Sequence, residues 1–171
     1  MTTLVIHPQD PTTDFLTDIY TGKEWLVIRN NVSKRYLLEQ ITAHDRIIML
    51  GHGSSDGLFG AGRLLINSKL VYLLRDKYCV CIWCNADMFV KKYGLHGLYT
   101  GMIISDTDEA ESYCLYPCSN ANIQISNTLL AKSIANAIDS KDPVAVIKKQ
   151  YISNGNAVIQ FNKDNIYIKD K

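Results

Sequence analysis

Short apolar runs alternate along this chain with segments of helical periodicity, and this alternation restricts the choice of fold more than any other feature. The runs are nearly continuous, which is typical of strands buried on both faces of a parallel sheet. The five runs are Leu4–Ile6, Trp25–Ile28, Ile47–Leu50, Cys79–Trp83 and Met102–Ile104. Strands that alternate with helices predict an α/β fold with helices on both faces of a mostly parallel sheet.

The segments between the runs carry signals for helix ends. Ser33, Ser68 and Asp142 are suited to cap helices that follow them, because their side-chain oxygens can accept hydrogen bonds from free backbone amides. Gly94 is suited to end a short helix, because glycine readily adopts the left-handed conformation of a helix terminus.

The pattern loosens after the fifth run. The segment from Asp106 to Asn122 is polar and aperiodic, which predicts a long loop, and a helix is predicted from Ser126 onwards. The runs Ala157–Phe161 and Ile166–Lys169 predict a β-hairpin at the end of the chain. We therefore predict one domain over residues 1–171, built as a sheet between two layers of helices and extended by the C-terminal hairpin.

Charge and hydropathy exclude several classes of function. The 171 residues include 18 Lys and Arg against 17 Asp and Glu, so the basic excess typical of a nucleic-acid-binding protein is absent. No apolar run approaches the roughly 20 residues that a membrane-spanning helix needs. Since no secretion signal is recognisable either, we expect a soluble, cytoplasmic protein that binds neither nucleic acid nor membrane.

The cysteines indicate chemistry rather than cross-linking. An odd number of them without a secretion signal favours reduced thiols. Two lie inside the fourth apolar run and are expected in the core, whereas a third directly follows that run. The five cysteines are Cys79, Cys81, Cys84, Cys114 and Cys118.

Two polar side chains follow neighbouring runs at the points where functional groups of α/β sheets gather. His52 follows the third run and Cys84 follows the fourth. Because successive parallel strands are usually neighbours, we expect both side chains at the same edge of the sheet. A thiol beside an imidazole is suited to attack a carbonyl carbon, and the amide of Gly53 could face the resulting oxyanion.

An apolar strand ending in His-Gly, then a helix, then an apolar strand ending in Cys resembles the caspase-like cysteine peptidases of clan CD. The resemblance covers about residues 45 to 110 and implies a caspase-like sandwich. It also implies a catalytic dyad of His52 and Cys84, with the Gly53 amide in the oxyanion hole. The chain departs from many family members at Trp83, where they have a small residue before the cysteine.

The residues after the fifth run extend this resemblance to substrate recognition. The segment that contains Asp106 and Asp108 resembles the one that lines the primary specificity pocket of metacaspases. This implies that the two carboxylates bind a Lys or Arg before the cleaved bond. The expected function is that of a cysteine endopeptidase that acts on protein or peptide substrates without a metal or organic cofactor. For a chain of this size, regulation by a partner, a ligand or homodimerisation is expected.

Two other interpretations stay open at this point. The pairs Cys81-x-x-Cys84 and Cys114-x-x-x-Cys118 have spacings that could support a structural zinc site. Alternatively, the chain is a non-catalytic, caspase-like interaction module in which the dyad is present but never organised.

Overall fold

The computed structural model describes residues 1–116 and 118–171. Its strands in chain order are β1 (Thr3–Ile6), β2 (Leu26–Ile28), β3 (Arg46–Leu50), β4 (Gly53–Ser54), β5 (Gly57–Gly60), β6 (Arg63–Ile66), β7 (Tyr78–Ile82), β8 (His96–Thr100) and β9 (Ile166–Lys169). Within the described residues, six of them form one sheet in the order β2-β1-β3-β7-β8-β9. The neighbours are parallel except for β9, which is antiparallel to β8.

Helices fill most of the chain between these strands. In chain order they are α1 (Lys34–Ala43), α2 (Val71–Leu74), α3 (Ala86–Tyr93), α4 (Thr107–Ser112), α5 (Asn120–Ala137), α6 (Pro143–Gln150) and α7 (Ala157–Asp164). Two 3-10 helices span Pro11–Ile19 and Ser68–Leu70. Within the described ranges, no helix combines the length and apolar character needed to cross a bilayer.

The large sheet is covered on both faces, as the sequence predicts. Along β3, Ile47 and Met49 pack into a core with α1, α2 and α3. The intervening Ile48 and Leu50 pack into a second core with α5 and the first 3-10 helix. Because successive side chains of a strand point to opposite faces, a strand buried on both faces reads as one continuous apolar run.

The helix ends follow the sequence signals in most places. Ser33 caps α1 by accepting a hydrogen bond from the Tyr36 amide, and Asp142 caps α6 in the same manner through the Ala145 amide. Gly94 ends α3 in the left-handed conformation. At the second 3-10 helix the expectation is wrong by one residue, because Asn67 rather than Ser68 is the cap.

The fifth strand of the parallel set is His96–Thr100, so the prediction of a strand at Met102–Ile104 is wrong. Polar residues and Gly97 interrupt the apolar character of β8. A Cβ at Gly97 would lie 2.0 Å from the backbone oxygen of Cys79, so only glycine allows β8 to pair closely with β7. Ile104 is instead buried in a cluster with Ala110, Ile123 and Val158, and its backbone amide and carbonyl pair with the side chain of Asn162.

The predicted C-terminal hairpin is also wrong. Its first half belongs to α7, which is capped by Asn156 through the amides of Val158 and Ile159. Only the second half, β9, is a strand, and it pairs with β8 instead. Asn162, expected in the hairpin turn, is fully buried on the inner side of α7. The helix forms because its cap and its buried face outweigh the strand preference of the β-branched residues.

The long loop predicted from Asp106 to Asn122 contains regular structure. Asp106 caps α4, and α5 begins at Asn120 rather than at Ser126, with Ser119 as its cap. Pro117, which was part of that prediction, lies outside the described residues.

Candidate active site at the tips of two parallel strands

The tips of β3 and β7 lie side by side, as predicted from the sequence. Leu50 at the end of β3 pairs with Ile82 at the end of β7. One step further, the Gly51 amide donates to the Ile82 oxygen at 3.1 Å. His52 and Cys84, each two residues beyond the end of its strand, both line one narrow cleft of about 20 Å³. The structure therefore brings together the two residues that the sequence singled out.

A close packing contact joins the two tips. The indole of Trp83 lies across Gly53, where a Cβ would come within 2.1 Å of Trp83 Cδ1. The indole Nε1 also donates to the backbone oxygen of Ser54 at 3.0 Å. Glycine is thus required at position 53 by Trp83 itself. The residue that departs from the caspase-like pattern holds the histidine tip against the cysteine tip.

The residues after His52 form a small antiparallel sheet that the sequence analysis did not predict. Strands β4, β5 and β6 lie in that order, and the Phe59 amide donates to the His52 oxygen at 2.8 Å. This pairing fixes the backbone of His52 from its C-terminal side. The extra sheet therefore helps to position the histidine.

A hydrogen-bonded relay orients the His52 ring. Asp10 caps the first 3-10 helix, and its Oδ1 accepts the hydroxyl proton of Thr12 at 2.7 Å. Thr12 Oγ1 lies 2.6 Å from His52 Nε2. Because the Thr12 hydroxyl donates its hydrogen bond to Asp10, its oxygen must accept a hydrogen bond from His52 Nε2–H. In this tautomer Nδ1 carries no hydrogen, so it is the ring nitrogen that is free to accept a proton from another group.

The Cys84 thiol lies in a half-buried, mostly apolar environment. Burial raises the pKa of this thiol, and the nearby carboxylates of Glu109 and Asp106 raise it further, while a hydrogen bond with the Ile103 backbone lowers it. Cys84 Sγ lies 3.4 Å from the Ile103 carbonyl oxygen. A raised pKa means that the free thiol is protonated at neutral pH, so a base is needed to generate the nucleophile.

The backbone that carries Cys84 is held by β8. The fully buried Thr100 hydroxyl accepts from the Trp83 amide at 3.2 Å and lies 2.9 Å from the Trp83 oxygen, to which it can donate. Beyond the thiol, the Asn85 amide donates to the Gly101 oxygen at 3.0 Å. Asn85 adopts φ 64°, a left-handed conformation that asparagine tolerates better than most residues, and α3 begins directly after it.

Asp106 and Asp108 lie at the start of α4, where Asp106 is the cap and Asp108 belongs to the first turn. Both side chains are exposed, and Asp106 Oδ1 accepts from the Glu109 amide at 2.8 Å. Glu109, which the sequence analysis did not select, accepts from the Ser105 amide at 2.7 Å, and Ser105 lines the cleft. The carboxylates of Glu109 and Asp106 lie near enough to the Cys84 thiol to raise its pKa. Whether these carboxylates contact a substrate stays a prediction.

The remaining cysteines do not assemble with Cys84. Cys79 and Cys81 are buried in the core, as expected, and burial raises the pKa of both thiols. Cys118 is half-buried and Cys114 is exposed. Over residues 1–116 and 118–171, no group of three or more His, Cys, Asp or Glu side chains is arranged to hold a metal ion. The zinc interpretation therefore has no support in the described structure.

Comparisons with protein families, with curated proteins and with solved structures found no match to this chain. The local geometry of the site and the residue pattern therefore carry the functional argument.

Proposed function

We propose that this chain is a cysteine peptidase of the caspase-like type, in which Cys84 is the nucleophile and His52 the acid and base. The observation that carries the proposal is that both side chains line one cleft at the ends of paired parallel strands. The Asp10–Thr12 relay adds support, because it leaves His52 Nδ1 free as a base. A histidine oriented by a third group beside a thiol is the usual arrangement for nucleophilic catalysis.

In the proposed reaction, His52 Nδ1 removes the thiol proton as Cys84 Sγ attacks the carbonyl carbon of the scissile bond. The carbon–nitrogen bond then breaks, and the imidazolium gives its proton to the leaving amine. Water next attacks the thioester, with His52 taking one water proton, and this step releases the acid and restores the thiol. Protein residues alone supply these steps.

The oxyanion of the tetrahedral intermediate needs hydrogen-bond donors. The amide of Gly53 is one proposed donor, because it directly follows His52. The Cys84 amide is a second, since within the described residues it has no acceptor. A donor without a partner in the free protein is available to the intermediate at no cost in broken bonds.

We further propose a preference for Lys or Arg before the cleaved bond. The negative charges of Glu109 and Asp106 reach Cys84, since both raise the pKa of its thiol. A carboxylate in a partly dry site attracts a cation and repels an acid. Asp108, exposed in the first turn of α4, would add to this field.

Regulation by a partner, a ligand or dimerisation is part of the proposal. The cleft at Cys84 has a volume of only about 20 Å³, which is too small for a substrate side chain. An event that widens it would activate the dyad. The same observation favours the second candidate, a non-catalytic module whose cleft stays closed, and the experiment below separates the two.

The test combines labelling with turnover. Purified protein and its Cys84→Ala, His52→Ala and Cys118→Ala variants are treated with an acyloxymethyl ketone peptide carrying Arg next to the reactive group, and the labelled residue is located by mass spectrometry. A peptide library with varied residues before the scissile bond is assayed in parallel. We expect labelling of Cys84 alone, turnover after Arg or Lys, and loss of turnover in the Cys84 and His52 variants only.

Other results would decide against the proposal. Label on Cys114 or Cys118 would remove Cys84 from the mechanism, and near wild-type turnover by His52→Ala would remove the histidine. Cleavage after Asp would contradict the proposed preference for Lys or Arg, but it would still be consistent with catalysis by His52 and Cys84. Neither labelling nor turnover, from a protein with a cooperative melting transition, would favour the interaction module.

A further inference from the structure

A row of three cavities leads from His52 along the hairpin of β5 and β6. The first has a volume of about 210 Å³ and is lined by His52 and Gly60. The second, of about 160 Å³, shares Gly60 and Ala61 with the first. The third, of about 190 Å³ between α1 and β6, shares Val32 and Leu65 with the second. Each cavity therefore adjoins the next through residues that line both.

The third cavity, which we call the distal groove, combines an apolar floor with a cationic rim. The floor includes Leu37 and Leu70, which are almost fully buried. The rim carries three cations, Lys34, Arg63 and Lys69. Among the described residues none of the three takes part in an ion pair, and no acidic residue lines the cavity. The distal groove is therefore suited to a ligand that is both apolar and anionic.

Positive charge is concentrated at this groove, whereas the whole chain has a net charge of only +1. One of the cations, Lys34, lies in the first turn of α1, which contains no acidic residue. A cation at this end of a helix is repelled by the partial positive charge of the free amides, whereas an anion is attracted. The helix end and the three side chains thus favour the same negatively charged partner.

The backbone next to the groove can accept a strand. In the part of the chain that the structure describes, β6 pairs only with β5, so its other edge has no strand partner. Leu64 and Leu65 of this strand line the distal groove. An extended peptide can add to such an edge through main-chain hydrogen bonds while pockets take its alternate side chains.

We propose that the distal groove binds an extended segment of the substrate in which acidic residues alternate with apolar ones, at a distance from the bond to be cleaved. The cavity of about 190 Å³ is smaller than the roughly 300–1,000 Å³ typical of small-molecule sites, and it suits side chains of a peptide. The assignment of the segment to the substrate rests on the peptidase function, because the row of adjoining cavities leads from the distal groove to the one lined by His52. The binding itself does not depend on catalysis.

Binding is measured with the Cys84→Ala protein, so that no cleavage interferes. The probe is a fluorescein-labelled decapeptide in which Glu alternates with Leu, and the control probe has Lys in place of Glu. Fluorescence anisotropy should show binding of the acidic probe that weakens as salt rises, and no binding of the basic one. Charge reversal by Lys34→Glu, Arg63→Glu and Lys69→Glu together should weaken binding at least tenfold.

The matched control reverses three cations elsewhere, Lys132, Lys141 and Lys148, which lie on or next to α5 and α6. It makes the same change in net charge and should bind the acidic probe like the parent. Circular dichroism melting of both triple variants verifies that they are folded. Equal weakening in both, or no binding of the acidic probe to the parent, would overturn the inference.

A second measurement tests the link to the substrate. Two peptides share one cleavable sequence, and one of them also carries the alternating Glu-Leu segment. With active protein, kcat/KM should be at least tenfold higher for the longer peptide, and the groove triple variant should remove this advantage without changing cleavage of the shorter one. Binding without such an advantage would overturn the assignment to substrate, whereas failure of both peptides to be cleaved would count against the peptidase function and leave the binding result intact.

Discussion

The hydroxyl of Thr12 lies between the Asp10 carboxylate and the His52 ring, and it determines which ring nitrogen carries the proton. Asp10 is well suited to hold that hydroxyl. Hydrogen bonds from the side chain and amide of Thr12 lower the pKa of the carboxyl, so it is ionised at neutral pH. A fixed acceptor on one side and a fixed ring on the other leave Thr12 little freedom. The relay thus prepares His52 before a substrate arrives.

The first prediction concerns this relay. Thr12→Val removes the acceptor of His52 Nε2–H, and we expect kcat/KM to fall about tenfold, which is less than the roughly 10²–10⁴-fold that general acid–base catalysis supplies. The pH–rate profile should shift as well, because the imidazolium loses its partner. Thr17→Val in the same 3-10 helix, which removes a bond to the Asp14 carbonyl, should leave both unchanged. An unaltered pH profile in Thr12→Val would contradict the relay.

The second prediction follows from the raised pKa of Cys84. Because only the thiolate reacts with iodoacetamide, alkylation of Cys84 should rise about tenfold for each pH unit between pH 6 and pH 8, without a plateau. His52→Ala should hardly change this profile, because the raised pKa of Cys84 keeps the thiol protonated in the free protein. The measurement is quantitative mass spectrometry of the Cys84 peptide. A plateau near neutral pH that disappears in His52→Ala would indicate a thiolate–imidazolium pair instead.

At the scale of the elements, the turn between β7 and α3 depends on β8. Thr100 satisfies the amide of Trp83 from the neighbouring strand, and that amide is buried. A strand that contributes no catalytic side chain therefore fixes the one that does. Strand β8 therefore contributes both to the hydrophobic core and to the position of Cys84.

The third prediction tests this dependence. Thr100→Val keeps the size of the side chain but leaves the Trp83 amide unsatisfied, and we expect a loss of about 1–3 kcal/mol in the free energy of unfolding. Labelling of Cys84 should slow as the turn loosens. Thr42→Val, which removes an exposed hydroxyl bonded to the Leu38 carbonyl of α1, is the control and should cost less than half as much. Chemical denaturation measures both, and equal losses would refute the role assigned to Thr100.

Sequence patterns identified the elements that follow local rules. Strands β3 and β7 could be predicted because burial on both faces makes their apolar runs continuous. His52 and Cys84 could be predicted as neighbours because each follows the end of one of these runs. Strand β8 was missed because Gly97 and Thr100 meet requirements of the neighbouring strand, which composition does not reveal. Thr12 could not be connected with His52, since 40 residues separate them and their contact depends on the path of the 3-10 helix.

The same limit applies to α7. Its residues include Val158 and Ile159, whose preference for strands favoured the hairpin, and the deciding interactions are the Asn156 cap and the burial of Asn162. The amide of Asn162 pairs with the backbone of Ile104, which is 58 residues away in the chain. Tertiary contacts of this kind override local propensity.

At the scale of the whole molecule, His7 makes stability depend on pH. The side chain is fully buried at the end of β1, between the Tyr20 hydroxyl at 3.0 Å and the Thr13 hydroxyl at 3.2 Å. Burial, aided by the charge of Arg29, lowers the pKa of His7 from 6.5 to about 4, although Asp14 acts in the opposite direction. The folded protein therefore binds this proton less readily than the unfolded chain does.

The fourth prediction gives the sign of that dependence. Above pH 6.5 His7 is neutral in both states, and as the pH falls from 6.5 to 4 the unfolded chain gains a proton that the fold excludes. The free energy of unfolding should therefore drop by about 3 kcal/mol across this window. His7→Asn should remove most of that slope, whereas His44→Asn at the end of α1 should retain it. Urea denaturation at a series of pH values measures the free energy of unfolding. The same pH dependence in His7→Asn as in the parent protein would contradict the assignment to His7.

The packing of Trp83 across Gly53 has a spectroscopic consequence. The chain contains two tryptophans, and the other one, Trp25, lies under the cations of Lys23 and Arg46, away from the cleft. In a Trp25→Phe protein, all tryptophan emission would come from the residue that joins the two tips. A ligand that separates those tips would bring water to the indole, and the emission maximum should move to longer wavelength. The molecule thus carries its own optical probe for the opening of the cleft, which can be followed in real time without an attached dye.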